Sequence, residues 1–478
     1  MTTNLETSTQ CSYYDVLIIG GGVVGCAVLR AATLAGWKCA LIELESDLLS
    51  HASGSNSGIA CTGVDATPGT LERALIRDSN AMFRIYCKEH NIPIRPCGSL
   101  VCSWPWDVDD DENNHSVNID EDKKEDNPTN KDKEQIQGDN LNKVYNESYD
   151  ANDTHVRRLS STQIKTMEPN LSPSVRGGVH IPGEIVVDPW LYSISLAIHA
   201  RENGADIFTN CEFNAKKSKF DCKNEIWNIV IDHFDPSINV KNEINVHAKA
   251  IVNAAGLWSD TIQEQCLMKS NSCTTYGKKW NAKPRRGQYR IYSCNEKTTI
   301  THPIQPIPTQ RTKGIFVFSS IYNQIVVGPT ALDQESKTDR SIDPIVGNKL
   351  DDHVKRIIPF VDTEKDFIGE YVGIRPGTDK RDYQIHVFPK KNWVAVAGIR
   401  STGLTASLGI GNYVMRNLNM ILDKEKNPLL SIVTTPLPSL DSLIEDFQSR
   451  NDGYVEIHGF EYKVTHPLTK LGWSAKKI

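Results

Sequence analysis

The chain has 478 residues, 39% of them apolar, and a formal charge of −6. That length carries two or three domains and a large core, yet its longest apolar runs, about six to twelve residues, are too short to span a bilayer. No basic tract suggests nucleic acid, and 12 cysteines without a CxxC or a zinc-type Cys/His spacing point to free thiols in a reducing compartment and to no metal site.

The first residues, MTTNLETSTQCSYY, include Glu6 and no Arg or Lys. They fit neither a signal peptide nor a typical mitochondrial presequence. A cytoplasmic location is expected, with a mitochondrial one left open. Val16 to Ile19 then form a continuous apolar run, as a strand buried on both faces requires. Gly20-x-Gly22-x-x-Gly25 follows at once. Val24, Ala27, Val28, Ala31 and Leu34 continue at helical spacing, and Gly36 closes the helix. A second strand, Cys39 to Leu44, carries Glu43 near its end. Gly20 permits the tight turn, Gly22 admits a pyrophosphate to the backbone, and Gly25 lets helix pack on strand. The helix N-terminus offers N–H groups to the phosphates, and Glu43 is placed to accept from a ribose. Together these predict dinucleotide binding.

The next stretch, HASGSNSGIACTGVD (51–65), has nine Gly, Ala, Ser or Thr residues among fifteen. Something approaches this backbone closely enough to exclude large side chains. PGTLERALIRDSNAMFRIYCKEH follows, with Leu71, Ala74, Leu75, Met82, Ile85 and Tyr86 at the spacing of a core helix. From Asp107 to Asp153 there are 16 Asp/Glu and 5 Lys, a net of −11. That composition predicts a disordered acidic insertion over 105–155 and leaves +5 for the rest of the chain. A mildly basic body suits an anionic cofactor and a small anionic substrate.

Two later strands end in glycine turns: AKAIVNAAGLWSD (248–260), with Gly256, and NWVAVAGIRSTGLTASLGIGNYV (392–414), with Gly398 and Gly403. They fit a long ligand touched from several sides, FAD rather than NAD. A helix starting at Gly403 could face the flavin pyrimidine edge, where negative charge develops on reduction. KGIFVFSS and IYNQIVVGPTA are β-rich. Beyond residue 425, PLPSLDSLIEDFQSR reads as an amphipathic helix and YVEIHGFEYKV as two short strands, together a small docking or capping unit.

The order IIGGGVVG, LIE, SNSG, VNAAG, GIRPG, AGIRSTGLTAS resembles the FAD-dependent D-amino-acid-oxidase-like superfamily, above all bacterial glycerol-3-phosphate oxidases and L-2-hydroxyglutarate dehydrogenases. The resemblance runs from about Tyr13 to Met415. It implies an α/β fold in which a Rossmann-like FAD domain (13–90, 186–270 and 365–425) is interleaved with an α+β substrate domain built on an antiparallel sheet (91–185 and 271–364). Residues 426–478 form an extension. It also implies that the small residues of Ala52 to Gly58, Ser53 among them, lie along the cofactor, with Asn56 and Ser57 bonding to cofactor or substrate. Gly256, Gly398, Ser401 and Gly403 join that surface.

The implied reaction is oxidation of a secondary alcohol, hydride passing to flavin. Its electron acceptor stays open among quinone, flavoprotein and oxygen. By resemblance Arg375 in GIRPG holds the substrate's phosphate or carboxylate, Lys313 matches a glycerol-3-phosphate oxidase lysine, Ser57 and Ser401 lie near substrate and flavin, and Arg400 stands where relatives often carry lysine. A planar guanidinium suits bidentate anion binding. The family pattern N-S-G-x-x-H departs here: Cys61 replaces the catalytic histidine. A thiol of pKa ~8.5 is a poor proton acceptor at pH 7 unless a cation activates it. Four outcomes stay open: a Cys61 thiolate activated by Arg375 or Arg400, another base such as His51, His302 or Asp65, a flavoprotein with little or no turnover, or a Cys61 that only packs. Glycerol 3-phosphate leads as substrate, then L-2-hydroxyglutarate, then an amino acid or amine.

Overall fold

The apolar run Val16–Ile19 has no polar face to give to water, and the strand that contains it, Ser12–Ile19, lies in the middle of a parallel sheet. Val240–Asn253 pairs with it on one side and Cys39–Ile42 on the other. Trp393–Ala397 and Asp206–Phe208 extend the parallel set outward. Side chains alternate along each strand. Val16 and Ile18 therefore meet the helices Val23–Leu34, Pro189–Glu202 and Gly403–Ile421 on one face. Leu17 and Ile19 meet Trp227, Ile229 and Trp280 on the other. This computed structural model describes residues 12–107, 130–150 (backbone alone for 130–137 and 150), 155–267, 280–308, 314–422 and 431–476.

The second sheet runs in the order Leu332–Asp333, Ala282–Tyr292, Ile325–Gly328, Phe316–Ser319, Ile304–Pro306, Ser99–Ser103, Gly177–Ile181, Arg157–Ser160. It is antiparallel except where Ile304–Pro306 lies parallel to Ser99–Ser103, so the expected antiparallel sheet is mixed at that pair. Residues 365–425 were expected to serve the dinucleotide unit throughout. Phe367–Thr378 instead pairs along Ala282–Tyr292 in the second sheet, because Tyr371 joins Tyr289, Ile291 and Phe318 in one apolar cluster. This strand carries Arg375 to the seam between the sheets.

Two further expectations change. The helix Leu71–Glu89 forms, capped by Thr70, but its buried face is rotated. Ala74 and Ile85 are exposed, while Glu72, Arg73, Ile76 and Phe83 are buried. Arg73 donates to the carbonyls of Val64 and Ala66, and Glu72 pairs with Arg400. These polar pairings, which an apolar count ignores, set the helix phase. Within the acidic insertion, residues 108–129 and 151–154 lie outside the described residues, but Asn130–Asp150 is a helix rather than disordered chain. Its Leu141 is 2% exposed and packs with Val101, Val179 and Ile181, joined by Val144 and Tyr145. Positions i, i+3 and i+4 supply an apolar stripe within a charged segment.

The C-terminal helix Leu440–Arg450 and the hairpin Tyr454–Ile457/Phe460–Lys463 form where the sequence places them. They are not peripheral: Ile444, Phe447, Val455 and Trp473 share one cluster with Trp190 and Tyr192. Among the described residues no helix is long and apolar enough to cross a membrane, and the cysteines among them form no disulfide.

Leu141→Ala should lower the free energy of unfolding by about 2 kcal/mol, the low end for a buried leucine because its cluster is small. Denaturant midpoints measure this; an unchanged midpoint would show that the insertion helix adds no stability.

Candidate active site

A cleft of about 1090 Å³ opens between the sheets, beyond the carboxyl ends of the parallel strands. Gly20 has φ +106°, and a Cβ there would lie 2.7 Å from the Ala254 carbonyl. Gly25 faces away from the cleft; a Cβ on it would collide with the Gly20 carbonyl, so its role is helix-on-strand packing. Gly22 caps the helix Val23–Leu34 with no side-chain cap, which leaves the helix N-terminus directed at the cleft. Ser53 Oγ accepts from Val23 N at 2.9 Å, at the same helix N-terminus. Glu43 lines the cleft; its carboxylate accepts from Gly21 N and, at 3.0 Å, from Glu45 N. Burial raises its pKa above the usual carboxylate range.

The small-residue loop makes a short 3-10 turn at Ala52–Ser55. Asn56 then closes it: Nδ2 donates to Ser53 O and Oδ1 accepts from Gly58 N, both at 2.8 Å. Asn56 and Ser57 line the cleft, whereas Gly58 lies behind it against the Val187 carbonyl. The Asn56 carbonyl accepts from Tyr371 Oη at 3.1 Å and from His466 Nε2 at 3.0 Å. His466 Nδ1 accepts from Leu468 N, which fixes the ring proton on Nε2. The C-terminal extension thus braces this loop, a role that its sequence did not announce.

Gly256, Gly398, Arg400, Ser401 and Gly403 all line the same cleft. The helix Gly403–Ile421 starts there, again without a side-chain cap. Arg400 takes φ +51°, a conformation that costs a side-chain-bearing residue energy and persists where the surroundings hold it. Its guanidinium pairs with buried Glu72, which also accepts from Thr402 Oγ1 at 2.8 Å. Its charge is therefore already balanced.

Arg375 differs. It lines the cleft, donates to Thr330 O at 2.8 Å and contacts the Tyr289 hydroxyl, with no carboxylate partner among the described residues. Burial lowers its pKa below the usual guanidinium value and, more strongly than Arg375 opposes, pushes Tyr289 up to about 12. Arg285 stands opposite Arg375 in the strand pair, but Asp333 holds it at 2.6 Å. A Cβ on Gly287 would come within 2.7 Å of Arg375 Nη2, so glycine leaves room for the guanidinium. The sequence reading missed Gly287 and Tyr289, although both lie in PRRGQYRI and alternation puts them on one face with Arg285.

Cys61 lines the cleft with Sγ 3.6 Å from Thr405 Oγ1, and its backbone N–H donates to that oxygen at 3.0 Å. Of the alternative bases, His51 lies 2.9 Å from Glu45 Oε1 and edge-on to Trp258. His302 is held by Glu168 at 2.6 Å and does not line the cleft. Asp65 lines it but is exposed. Lys313 lies outside the described residues.

Two helix N-termini whose own N-cap residues give no side-chain hydrogen bond, a close glycine turn and a polar loop along one continuous cleft fit a long anionic dinucleotide. Residues 15–416 match the family model described as DAO, FAD dependent oxidoreductase. The chain belongs to this family. FAD is its cofactor, and the protein is an FAD-dependent oxidoreductase. It is 29% identical over 435 residues to a glycerol 3-phosphate dehydrogenase of Caloramator mitchellensis, covering 91% of this chain and 80% of that one. It is 25% identical over 333 residues to the human mitochondrial L-2-hydroxyglutarate dehydrogenase, covering 68% and 62%. In structure it resembles an L-alpha-glycerophosphate oxidase of Mycoplasma pneumoniae with FAD bound, at TM-score 0.74 and 23% identity, covering 90% and 100%.

His466 gives a prediction for this FAD enzyme. Burial holds its pKa down at about 3, against about 6.5 when unfolded, so the folded ring is neutral. The stability it contributes is complete above pH 6.5 and falls as the pH drops towards 3, by about 1.4 kcal/mol per pH unit. His466→Gln should flatten the acid slope of denaturant midpoints by close to one proton. It should also weaken FAD binding about fivefold, the worth of one hydrogen bond to the loop.

Proposed function

We propose that this protein oxidises a small anionic secondary alcohol, glycerol 3-phosphate before L-2-hydroxyglutarate. The observation that carries the reading is Arg375: a cation facing the cleft, without a carboxylate partner among the described residues, and steadied by the Thr330 carbonyl and Tyr289. Every other element of the reading is arranged around it. Gly20, Gly22, Ser53 and the N-terminus of Val23–Leu34 would hold the pyrophosphate. The 52–58 loop would lie along the ring, and the N-terminus of Gly403–Ile421 would face the pyrimidine edge. FAD supplies the two-electron acceptor when bound.

This chain's own work is then to bind and orient. Arg375 and Tyr289 would fix the substrate anion by a charge-assisted hydrogen bond and a neutral one. Ser57 would meet the substrate or ring from the loop, and Lys313 would add a second cation for a phosphate dianion. The names of the Caloramator and Mycoplasma relatives support glycerol 3-phosphate. The human relative supports L-2-hydroxyglutarate, whose carboxylate an arginine fork also suits.

Anaerobic titration decides between them. Glycerol 3-phosphate should bleach the flavin faster than L-2-hydroxyglutarate does. The reverse order selects the second reading, and bleaching by neither leaves a flavoprotein that binds without turning over these alcohols. Arg375→Ala should weaken substrate binding by about 2–5 kcal/mol, and Arg375→Lys should recover part of it because an ammonium lacks the planar fork. Gly287→Ala, which displaces the guanidinium without removing its charge, should raise KM about tenfold.

A further inference from the structure

We propose that Glu184 is the proton acceptor in this alcohol oxidation, standing across the cleft wall from Cys61 where the family's histidine is missing. The proposal rests on the reading just given. The strand Ile59–Ala60 runs antiparallel to Ile185–Val187, with Ile59 opposite Val186 and Ala60 opposite Ile185. One step further along this register sets Cys61 opposite Glu184. Opposed residues in an antiparallel pair point to the same face, and both residues line the cleft.

The surroundings of Glu184 suit the task. Its side chain is 4% exposed, whereas Asp65 lies open to water. Gln305 Nε2 donates to its Oε2 at 2.9 Å, and Gln305 lines the cleft too. The backbone is fixed on both sides: the Glu184 carbonyl accepts from Gly98 N at 3.0 Å, and Ile185 enters the strand. His302 does not line the cleft, and His51 lines it beside Glu45 and Trp258. A carboxylate at the cleft wall can take the proton of a hydroxyl held within hydrogen-bond reach. Cysteine at 61 is short where the family's imidazole is long, so the opposed carboxylate gains the space to reach a hydroxyl that the imidazole would otherwise meet.

In the step, the substrate O–H bond breaks and its proton passes to a carboxylate oxygen of Glu184. The carbinol C–H bond would break with its electron pair, which FAD, when bound, would accept as hydride, and the carbon–oxygen bond would become a carbonyl. The alcohol would thus be oxidised by the cofactor's two-electron capacity, and Glu184 would return its proton to water after the ketone departs. Gln305 is a positioning residue: it holds one carboxylate oxygen and stabilises the ionised form.

The test uses the FAD-loaded full chain. Glu184→Gln, nearly isosteric, should slow anaerobic bleaching by glycerol 3-phosphate about 10²–10⁴-fold. It should keep its FAD and bind the ketone product, dihydroxyacetone phosphate, at least as tightly as the wild type. The wild-type rate should rise with pH through one ionisation, and this limb should vanish in the variant. Gln305→Met, which removes the donor to the carboxylate, should shift the same limb to higher pH. Independently of turnover, calorimetry of dihydroxyacetone phosphate binding in buffers of different ionisation enthalpy should show proton uptake in the wild type and less in Glu184→Gln.

A Glu184→Gln enzyme that bleaches within about threefold of the wild type, with the same pH limb, overturns the assignment and leaves the substrate reading standing. If that variant loses FAD, Gln305→Met decides: an unmoved limb overturns the proposal. A wild type that neither alcohol bleaches removes the substrate reading, and the role of Glu184 with it.

Discussion

One buried carboxylate, Asp188, joins the three parts of the chain. Its Oδ1 caps the helix Pro189–Glu202 through Trp190 N and Leu191 N at 2.8 and 2.9 Å, and accepts from Thr469 Oγ1 of the last helix, Pro467–Ala475, at 2.9 Å. Its other oxygen accepts from Tyr322 Oη of the second sheet's loop, and Trp473 Nε1 donates to that same tyrosine at 2.7 Å. Burial raises the pKa of Asp188, and these donors work against that rise. A buried carboxylate persists only when its oxygens are met; leaving one unmet costs about 1–3 kcal/mol. Asp188 directly follows the strand Ile185–Val187. The same short strand therefore carries the carboxylate that ties the units at one end and Glu184 at the other.

The cofactor loop depends on this tie at one remove. His466 reaches the Asn56 carbonyl only because the helix Pro467–Ala475 is seated, and Thr469 on that helix seats on Asp188. Tyr371 approaches the same carbonyl from the second sheet. A loop made of small residues has little side-chain packing to hold it. Its backbone must be held by others, and here two elements distant in sequence do so.

How much of this was legible follows from how local each constraint is. Gly20, Gly22 and Gly25 answer to the turn of one strand into one helix, so a few adjacent residues record the requirement. The helix Leu440–Arg450 and its hairpin are equally local. Glu72 with Arg400 spans 328 positions, and Gln305 with Glu184 spans 121. No periodicity within a helix or strand reports such partners, and the phase of Leu71–Glu89 was misread for that reason. Leu141 escaped because a charge total averages away three apolar residues on one helical face. Residues 365–425 went to the dinucleotide unit by resemblance alone; the pairing of Phe367–Thr378 along Ala282–Tyr292 is set by partners distant in sequence, which the strand's own residues do not report.

Charge in the cleft follows the same logic and sets what the site can bind. The sequence reading named Arg375 as the anion clamp and Arg400 at a family lysine position, and it passed over Arg285, which folding also brings to the cleft. Folding removes two of them from competition: Asp333 takes Arg285 and Glu72 takes Arg400. Each neutralised arginine still shapes the wall, but attracts a ligand anion only weakly, since its nearest carboxylate cancels the field within a few ångströms. Arg375 keeps its charge for a ligand, and Tyr289 beside it offers a donor without adding negative charge. A carboxylate base in the same cleft would repel an anionic substrate unless a cation held the anion in place. On the proposed reading, Arg375 and Glu184 would impose a direction on the substrate, its anionic group towards the arginine and its hydroxyl towards the carboxylate. A neutral imidazole would leave that direction to shape alone; a carboxylate enforces it by charge.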